Sequence, residues 1–320
     1  MPNEELTDVK DKKAKSSYLN KLTRISPGAN FILLVLLVLT AVVVIIPMLL
    51  VVIISFSTPE SISLKGYSFT PTSWTNSAYE MLLGKGLGTQ ILQSYILTIA
   101  QALLGTVLSI FVMSLYAYVL AQKRFPCRKF YTIILFITML FSGGLVPSYI
   151  VNTRYLHLYN SFWIFIFPGL VAAYSIIVLR TFINTTIPDA MFDAARIDGA
   201  NDFMIYAKIV MPLFKAGLAV TALWALVGRW NDWFTATLYI ENPKLVPLQT
   251  MLVRIQKNLD FIKNNSALRS SPSAQQMLKS LPGENIRMAI VIISIVPILF
   301  AYPFFQRYFV KGITVGSVKG

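Results

Sequence analysis

Six stretches of the chain are apolar over about twenty residues or more and carry little charge. Polar segments of very unequal length separate them. A helix that crosses a membrane needs about 20 mostly apolar residues. Residues 31–54 are uncharged and rich in Leu, Val and Ile, and between Lys85 and Lys123 there is no charge at all, which places a second span at 92–121. The remaining runs lie at 130–149, 161–183, 214–239 and 288–306, with Arg180 near one end of the fourth. At a rise of about 1.5 Å per residue, 31–54 reaches about 36 Å, enough to cross with some tilt. That first run also exceeds the apolar core of a cleaved signal peptide, about 7–15 residues, so it reads as a retained span. The pattern predicts an all-α integral membrane protein with six transmembrane helices.

Between the fourth and fifth spans lies "IPDAMFDAARIDGANDFMIYAKIVMP", a polar, jointed segment in an otherwise apolar neighbourhood. Pro188 suits the first turn of a helix, where no N–H bond is lost. Asp189 and Asp193 near that start suit the helix dipole. Gly199 after Asp198 takes a positive φ without strain and commonly ends a helix. A second helix is expected from Asn201 or Asp202 to Val210, with Pro212 ending it or marking entry to the next span. The spacing predicts a helix, a glycine joint, a helix and then proline over 188–212. It is either an amphipathic hairpin on the membrane surface or a docking knob, whose small Ala194, Ala195 and Gly199 allow close approach of a partner.

Other breaks are readable. Ser73 or Thr75 can cap a short surface helix ending near Gly84. "SGGLVP" ends the third span and is either part of a gate or a turn. The loop 240–287 contains "NNSALRSSPSAQQ", polar and poor in aliphatics,.

Composition agrees with the membrane reading. The chain has 320 residues, 55% of them hydrophobic and only 13% charged. Soluble domains carry about a quarter charged residues. The net charge of +14 has a better explanation than nucleic acid, because membrane proteins gather Lys and Arg on cytoplasmic loops and no basic stripe is interleaved with aromatics. With the N-terminus inside, segments 1–29, 122–129, 180–215 and 307–320 hold six, four, four and three Lys and Arg. The outer segments 55–90, 150–160 and 240–287 hold two, one and seven, the seven in the one long loop, where the bias counts for less,. Both termini are therefore expected in the cytoplasm, and 188–212 faces it too.

One cysteine, Cys127, and one histidine, His157, exclude an intrachain disulfide and make zinc chemistry improbable, with no CxxC and no HExxH present,. No metal or cofactor site is expected. GxxxxGK[ST] is absent, so the chain has no phosphate-cradling loop and cannot be its own ATPase. An intramembrane hydrolase would need a nucleophile and base inside the spans, and the sequence offers neither His there nor G-x-S-x-G. An ion-coupled secondary transporter of a small polar solute is the alternative reading. It would show mid-membrane charge and inverted repeats, and neither stands out.

The jointed segment carries a resemblance. "D-A-A-x-x-x-G-x(9)-I-x-x-P", read here as Asp193-Ala194-Ala195, Gly199, Ile209 and Pro212, resembles the EAA loop of ABC-importer permeases. Asp193 stands where that family usually has Glu, and Met211 where it usually has Leu. "FSGGLVPSYIVNTRYLHLYNSFWIFIFP", "WNDWFTATLYI" and "PLQTML" are similar to sugar-importer permeases, and "GITVGSVKG" resembles the C-terminus of the maltose-type second permease. The resemblance covers most of the chain. It implies a type I ABC importer permease domain over 31–320, preceded by a cytoplasmic segment 1–30. Asp193, Ala194, Ala195 and Gly199 are then ATPase-coupling residues. The implied partners are a homologous second permease, two ATPase subunits that hold ATP and Mg2+, and an extracytoplasmic saccharide-binding protein, in the cytoplasmic membrane of a prokaryote. The cargo implied is a carbohydrate, an oligosaccharide by the subgroup resemblance. The loop 240–287 is then a candidate to touch the binding protein. The tail 314–320 reaches between the ATPases or frays as chain ends do.

Span five holds "ALWALVGRWNDWF". A charge at mid-bilayer costs about 2.5–3.5 kcal/mol on insertion scales, so Arg229 and Asp232 should face protein or water. Their i, i+3 spacing lets them meet, with Trp230, Asn231 and Trp233 around them. These five residues are candidates either for the substrate path or for helix packing. In span two, Gln101, Ser109, Ser114, Tyr116 and Tyr118 read as polar glue between helices.

Overall fold

The computed structural model describes residues 26–84, 87–264 and 283–316. The N-terminal segment up to residue 25, nearly all of "NNSALRSSPSAQQ" and the tail residues 317–320 lie outside the described residues. The chain divides into two compact units, 1–74 and 75–320.

In the first unit, helix α1 (Pro27–Ser55) starts where Ser26 accepts a hydrogen bond from the Ala29 N–H and Pro27 occupies the first turn. Its apolar side chains are exposed along almost the whole length, and only Ile54 and Ser55 are buried. Such a surface suits hydrocarbon, since the helix satisfies its own backbone. Helix α2 (Pro59–Lys65) is capped by Thr58 and ends at Gly66 with φ +66°. Ser73 does not cap the following helix; its hydroxyl bonds Thr58 instead, at 2.7 Å.

The second unit opens with α3 (Ser77–Leu83), whose cap residue is Asn76, while Thr75 accepts from the Ser77 N–H. The 35-residue α4 (Leu87–Ala121) is the longest described helix. Helices α5 (Arg128–Leu140) and α6 (Leu145–Ile150) follow, and α6 continues in wide π turns over Val151–Tyr155. The predicted third span is thus two arms meeting at 113°. Gly144 at φ +85° and Pro147 in the next turn supply the backbone freedom and the stop.

The fourth span also differs from expectation. A single 3₁₀ turn, Phe162–Phe165, precedes Pro168-Gly169, and the regular helix α7 (Ala173–Thr186) begins only after them. The jointed segment folds into α8 (Asp189–Ile197) and α9 (Asp202–Ile205), followed by π turns over Tyr206–Val210. Helix α10 (Lys215–Trp230) then departs at 82° to the stretch Asp202–Leu213. It stops at Asn231, and α11 (Phe234–Tyr239) starts after Asp232 accepts the Phe234 and Thr235 N–H groups. Within the predicted loop 240–287 the structure holds a helix, α12 (Leu248–Asn264). Leu248, Met251, Leu252 and Ile255 recur at helical spacing and pack on Ile91, Ile290 and Ile293, a pattern that the polar composition of the rest of that loop conceals. The last helix, α13 (Glu284–Gly316), outruns the predicted sixth span at both ends.

Among the described residues, two helices alone are long and apolar enough to cross a membrane, and up to four spans result if each bent pair counts as one. Breaks divide the third, fourth and fifth apolar runs into pieces too short to cross singly, whereas α13 is one continuous helix. One core cluster joins α4, α7 and α8 through Met113, Leu120, Ile176, Leu179, Ile183 and Phe192, and α10 packs beside them through Phe214. A second joins α3, α12 and α13, and a third surrounds α11.

Candidate functional site

The sequence singles out two regions. The first is the elbow at Gly199. Its φ is +80°, and a Cβ there would meet nothing within 4 Å. The position therefore demands glycine for backbone conformation and not for space. The Gly199 N–H donates to Arg196 O and the Ala200 N–H to Ala195 O, each at 3.0 Å, the paired bonds of a glycine-terminated helix end. Asn201 then caps α9 by accepting the Met204 N–H at 2.8 Å.

Burial sorts the four coupling candidates. Asp193, Ala194 and Gly199 are exposed, whereas Ala195 is buried in the chain's own core beside Phe192. The expectation that Ala195 offers a partner close approach is therefore corrected: Ala195 lets α8 approach its own protein. Ile197 at 86% exposure and Phe203 at 67% stand on the open side instead. The sequence reading passed over both, although two apolar residues flanking a polar elbow are the available signal.

Polar contacts tie the elbow to the end of α4. Arg196 Nη2 donates to Gln122 Oε1 at 2.8 Å and to Asp202 Oδ1 at 3.3 Å. Arg124 pairs with Asp193 at 3.1 Å, and Lys123 with Asp189. Deeper in, the Ser114 and Tyr206 hydroxyls share a buried hydrogen bond of 2.7 Å, and Tyr118 donates to Asp202 at 3.4 Å. Ser114 and Tyr118, two of the residues read as helix glue in span two, thus tie α4 to the elbow.

The second site is a cavity of about 630 Å³ walled by α6, the 161–172 turns, α7, α10 and α11. Its volume is in the usual range for ligand sites. Asn152, Phe165, Ser175, Trp224, Arg229, Asp232 and Tyr239 supply its polar and aromatic lining. Asn152 donates to the Tyr239 hydroxyl at 3.1 Å, and the Tyr149 and Tyr239 rings stack at 5.4 Å, which fixes the α11 wall against α6. Near this wall Tyr159 donates to Glu241 at 2.7 Å. That hydrogen bond, ahead of partial burial, holds the Tyr159 hydroxyl above its usual pKa.

The five candidates of span five separate. Arg229 and Asp232 line the cavity; Trp230, Asn231 and Trp233 do not. Trp230 is buried, donates its indole N–H to Ser294 O at 3.1 Å and meets Tyr95 edge-on. Asn231 donates back to Val227 O. Trp233 lies under the Lys257 ammonium at 5.3 Å. The expected Arg229–Asp232 pair is not formed either. Arg229 Nη2 donates to Ser109 Oγ at 2.6 Å and to Gly169 O at 2.8 Å, while Asp232 caps α11. The helix ends between the two residues, so helical spacing no longer brings them together.

Two glycines make room for Arg229. A Cβ at Gly105 would come within 2.2 Å of Arg229 Nε, and one at Gly169 within 3.0 Å of Nη1. Sequence reasoning missed both, since an isolated glycine in a span carries no sign of which distant side chain it admits. Ser109 was recognised only as polar glue.

Known proteins resemble this chain over most of its length. Residues 117–315 match the family model described as binding-protein-dependent transport system inner membrane component. The chain is 33% identical over 83% of its length, and 89% of the relative's, to the polygalacturonan/rhamnogalacturonan transport system permease protein of Bacillus subtilis (strain 168). It is 28% identical, over 67% of its length and 69% of the relative's, to the arabinooligosaccharides transport system permease protein of Halalkalibacterium halodurans. Among solved structures it resembles a chain of a bacterial ABC transporter involved in the import of the acidic polysaccharide alginate. The TM-score is 0.73 at 28% identity, covering 88% of this chain and 96% of the other. A chain of broken spans with a glycine elbow and no nucleotide-binding loop belongs to the family of inner-membrane permease components of binding-protein-dependent ABC importers.

Proposed function

We propose that this permease carries an oligosaccharide across the cytoplasmic membrane, through the cavity beside α10, as half of a pair with a homologous permease. Six crossings with both termini in the cytoplasm fit the Lys and Arg bias of the short loops,. The bent pairs then count as broken spans that line a passage. ATP and Mg2+ belong to two partner ATPase subunits, and an extracytoplasmic binding protein delivers the cargo. The named cargoes of the two relatives and of the solved importer, all glycans, support the carbohydrate class.

The observation that carries the coupling half is the elbow. Asp193, Ala194 and Gly199 are exposed on a rigid joint, flanked by the exposed Ile197 and Phe203. Ala195 acts from inside, by seating α8 on α4 and α7. ATP binding favours one of two packings of the spans and release favours the other, with the elbow transmitting between them.

Gentle purification from the native membrane tests the reading. A P-loop ATPase and a second permease should accompany the chain, and Ala194→Glu should release the ATPase while leaving the two permeases together. A chain that emerges alone or as a homomer would sink the proposal.

A further inference from the structure

The Arg229 head group has surplus donors. A guanidinium carries five N–H groups. Only Nη2 finds acceptors, the Ser109 hydroxyl and the Gly169 carbonyl, and both are neutral. Nε is buried without a hydrogen-bond partner. Nη1 has no acceptor among the described residues, yet it is not among the side-chain atoms that are both sealed from solvent and unbonded. Arg229 makes no ion pair among the described residues, and the carboxylate of its wall neighbour Asp232 acts on its charge through space without bonding it. The carboxylate on the same wall, Asp232, spends Oδ1 on two backbone N–H groups of α11. A fixed cation with open N–H groups therefore faces a cavity whose wall also presents the half-exposed indole of Trp224.

A cation in a span is costly unless something answers it. A charged N–H donor gives a carboxylate a shorter and stronger hydrogen bond than a neutral one does. The half-exposed face of Trp224 suits the apolar face of a sugar ring. We infer that the cavity takes an acidic sugar, with the ring carboxylate of a uronic acid unit docked on Arg229 Nη1, so that Arg229 selects charged over neutral glycans. This rests on the carbohydrate reading above. Gly105 and Ser109 are positioning residues, because they seat the Arg229 side chain from outside the cavity lining, while Gly169 lines the cavity and also accepts from Nη2.

The test compares uptake of a galacturonate trisaccharide with that of its methyl ester, which keeps the rings and removes the charges. Both are delivered to the whole transporter by the same binding protein, so its own preference cancels between wild type and variant. Arg229→Gln should lower the acid-to-ester uptake ratio by at least about tenfold, roughly 1.4 kcal/mol of discrimination. Arg229→Lys should restore most of that ratio. An equal fall for both cargoes would make Arg229 a packing residue and overturn the inference, leaving carbohydrate transport intact. Wild-type uptake of neutral oligosaccharides with neither of these cargoes overturns it as well. No uptake of any glycan removes the carbohydrate reading itself, and this inference with it. If Arg229→Gln does not fold, the wild-type complex decides. Modification of Arg229 by phenylglyoxal, read by peptide mass, should be slowed by the trisaccharide acid and not by its ester. Equal protection by both overturns the inference.

Discussion

The elbow and the Arg229 wall solve opposite problems with the same residue type. At the elbow, Arg196 lies among Asp193, Asp202 and Gln122, close to water, and each charge has an answering charge. On the wall, Arg229 is held by a hydroxyl and a carbonyl in a slot made by two missing Cβ atoms. The first arrangement is robust and local. Several partly exposed contacts share the load, and exposed ion pairs are individually weak, about 0–1 kcal/mol. The second depends on a few exact fits across distant parts of the chain, where each loss is felt in full.

That contrast ranks the expected effects of substitution. Gly105→Ala should be the most damaging. Its Cβ would need space that Arg229 Nε occupies, so the side chain must leave its slot and forfeit both hydrogen bonds. The cost is about 3 kcal/mol or more, read as a lower unfolding temperature of the purified complex. The same change in an Arg229→Ala background should cost far less; equal costs in both backgrounds would show that the slot is not specific to Arg229.

Next comes the elbow's inner face. Ala195→Glu buries an unpaired charge in the α4–α7–α8 core and should cost about 2–4 kcal/mol, with loss of the chain from the membrane. Ala194→Glu, one residue away and exposed, should leave membrane levels near wild type and reduce only ATPase association. Matching membrane levels for the two variants would contradict the assignment of inner and outer faces. Gly199→Val should then cost about 1–2 kcal/mol from the forced positive φ, seen as reduced cargo-stimulated ATP hydrolysis in a complex that still assembles. Full activity would mean that the elbow can rearrange without glycine.

The smallest effect sharpens the comparison most. A double-mutant cycle over Arg229→Ala and Asp232→Ala should show coupling of no more than about 1 kcal/mol, as for neighbouring charges that act on each other through space and share no hydrogen bond,. A larger coupling energy would restore the ion pair that the helix end separates.

The difference between the two regions also decides what could be read in the sequence. The elbow is written within about 25 neighbouring residues. Pro188, Gly199 and Asn201 each act on their own stretch of backbone, so capping and glycine arguments place the joint correctly. Burial of Ala195 was not readable, because the face that α8 turns inward is chosen by α4 and α7, far away in sequence. The wall is long-range throughout: Gly105, Ser109, Gly169 and Arg229 come from three separate segments. The glycines and proline of "SGGLVP" announced the break at Gly144, but hydropathy could not see those at Pro168-Gly169 and Asn231, since a turn lined by apolar side chains keeps the hydropathy of a helix. The break at Asn231 then undid the pairing that helical spacing had assigned to Arg229 and Asp232.

The slot at Gly105 also imposes an order on change. A lineage that places a side chain at position 105 while arginine remains at 229 must push that arginine out of its slot, but it can lose the arginine first and fill the slot afterwards. Replacement in the reverse order passes through an intermediate that is both crowded and destabilised. Descendants of this chain should therefore keep glycine at 105 wherever they keep arginine at 229, and should show larger residues there only where the arginine has gone. The two positions would then drift as one unit, 124 residues apart in sequence and within a bond length of collision in space.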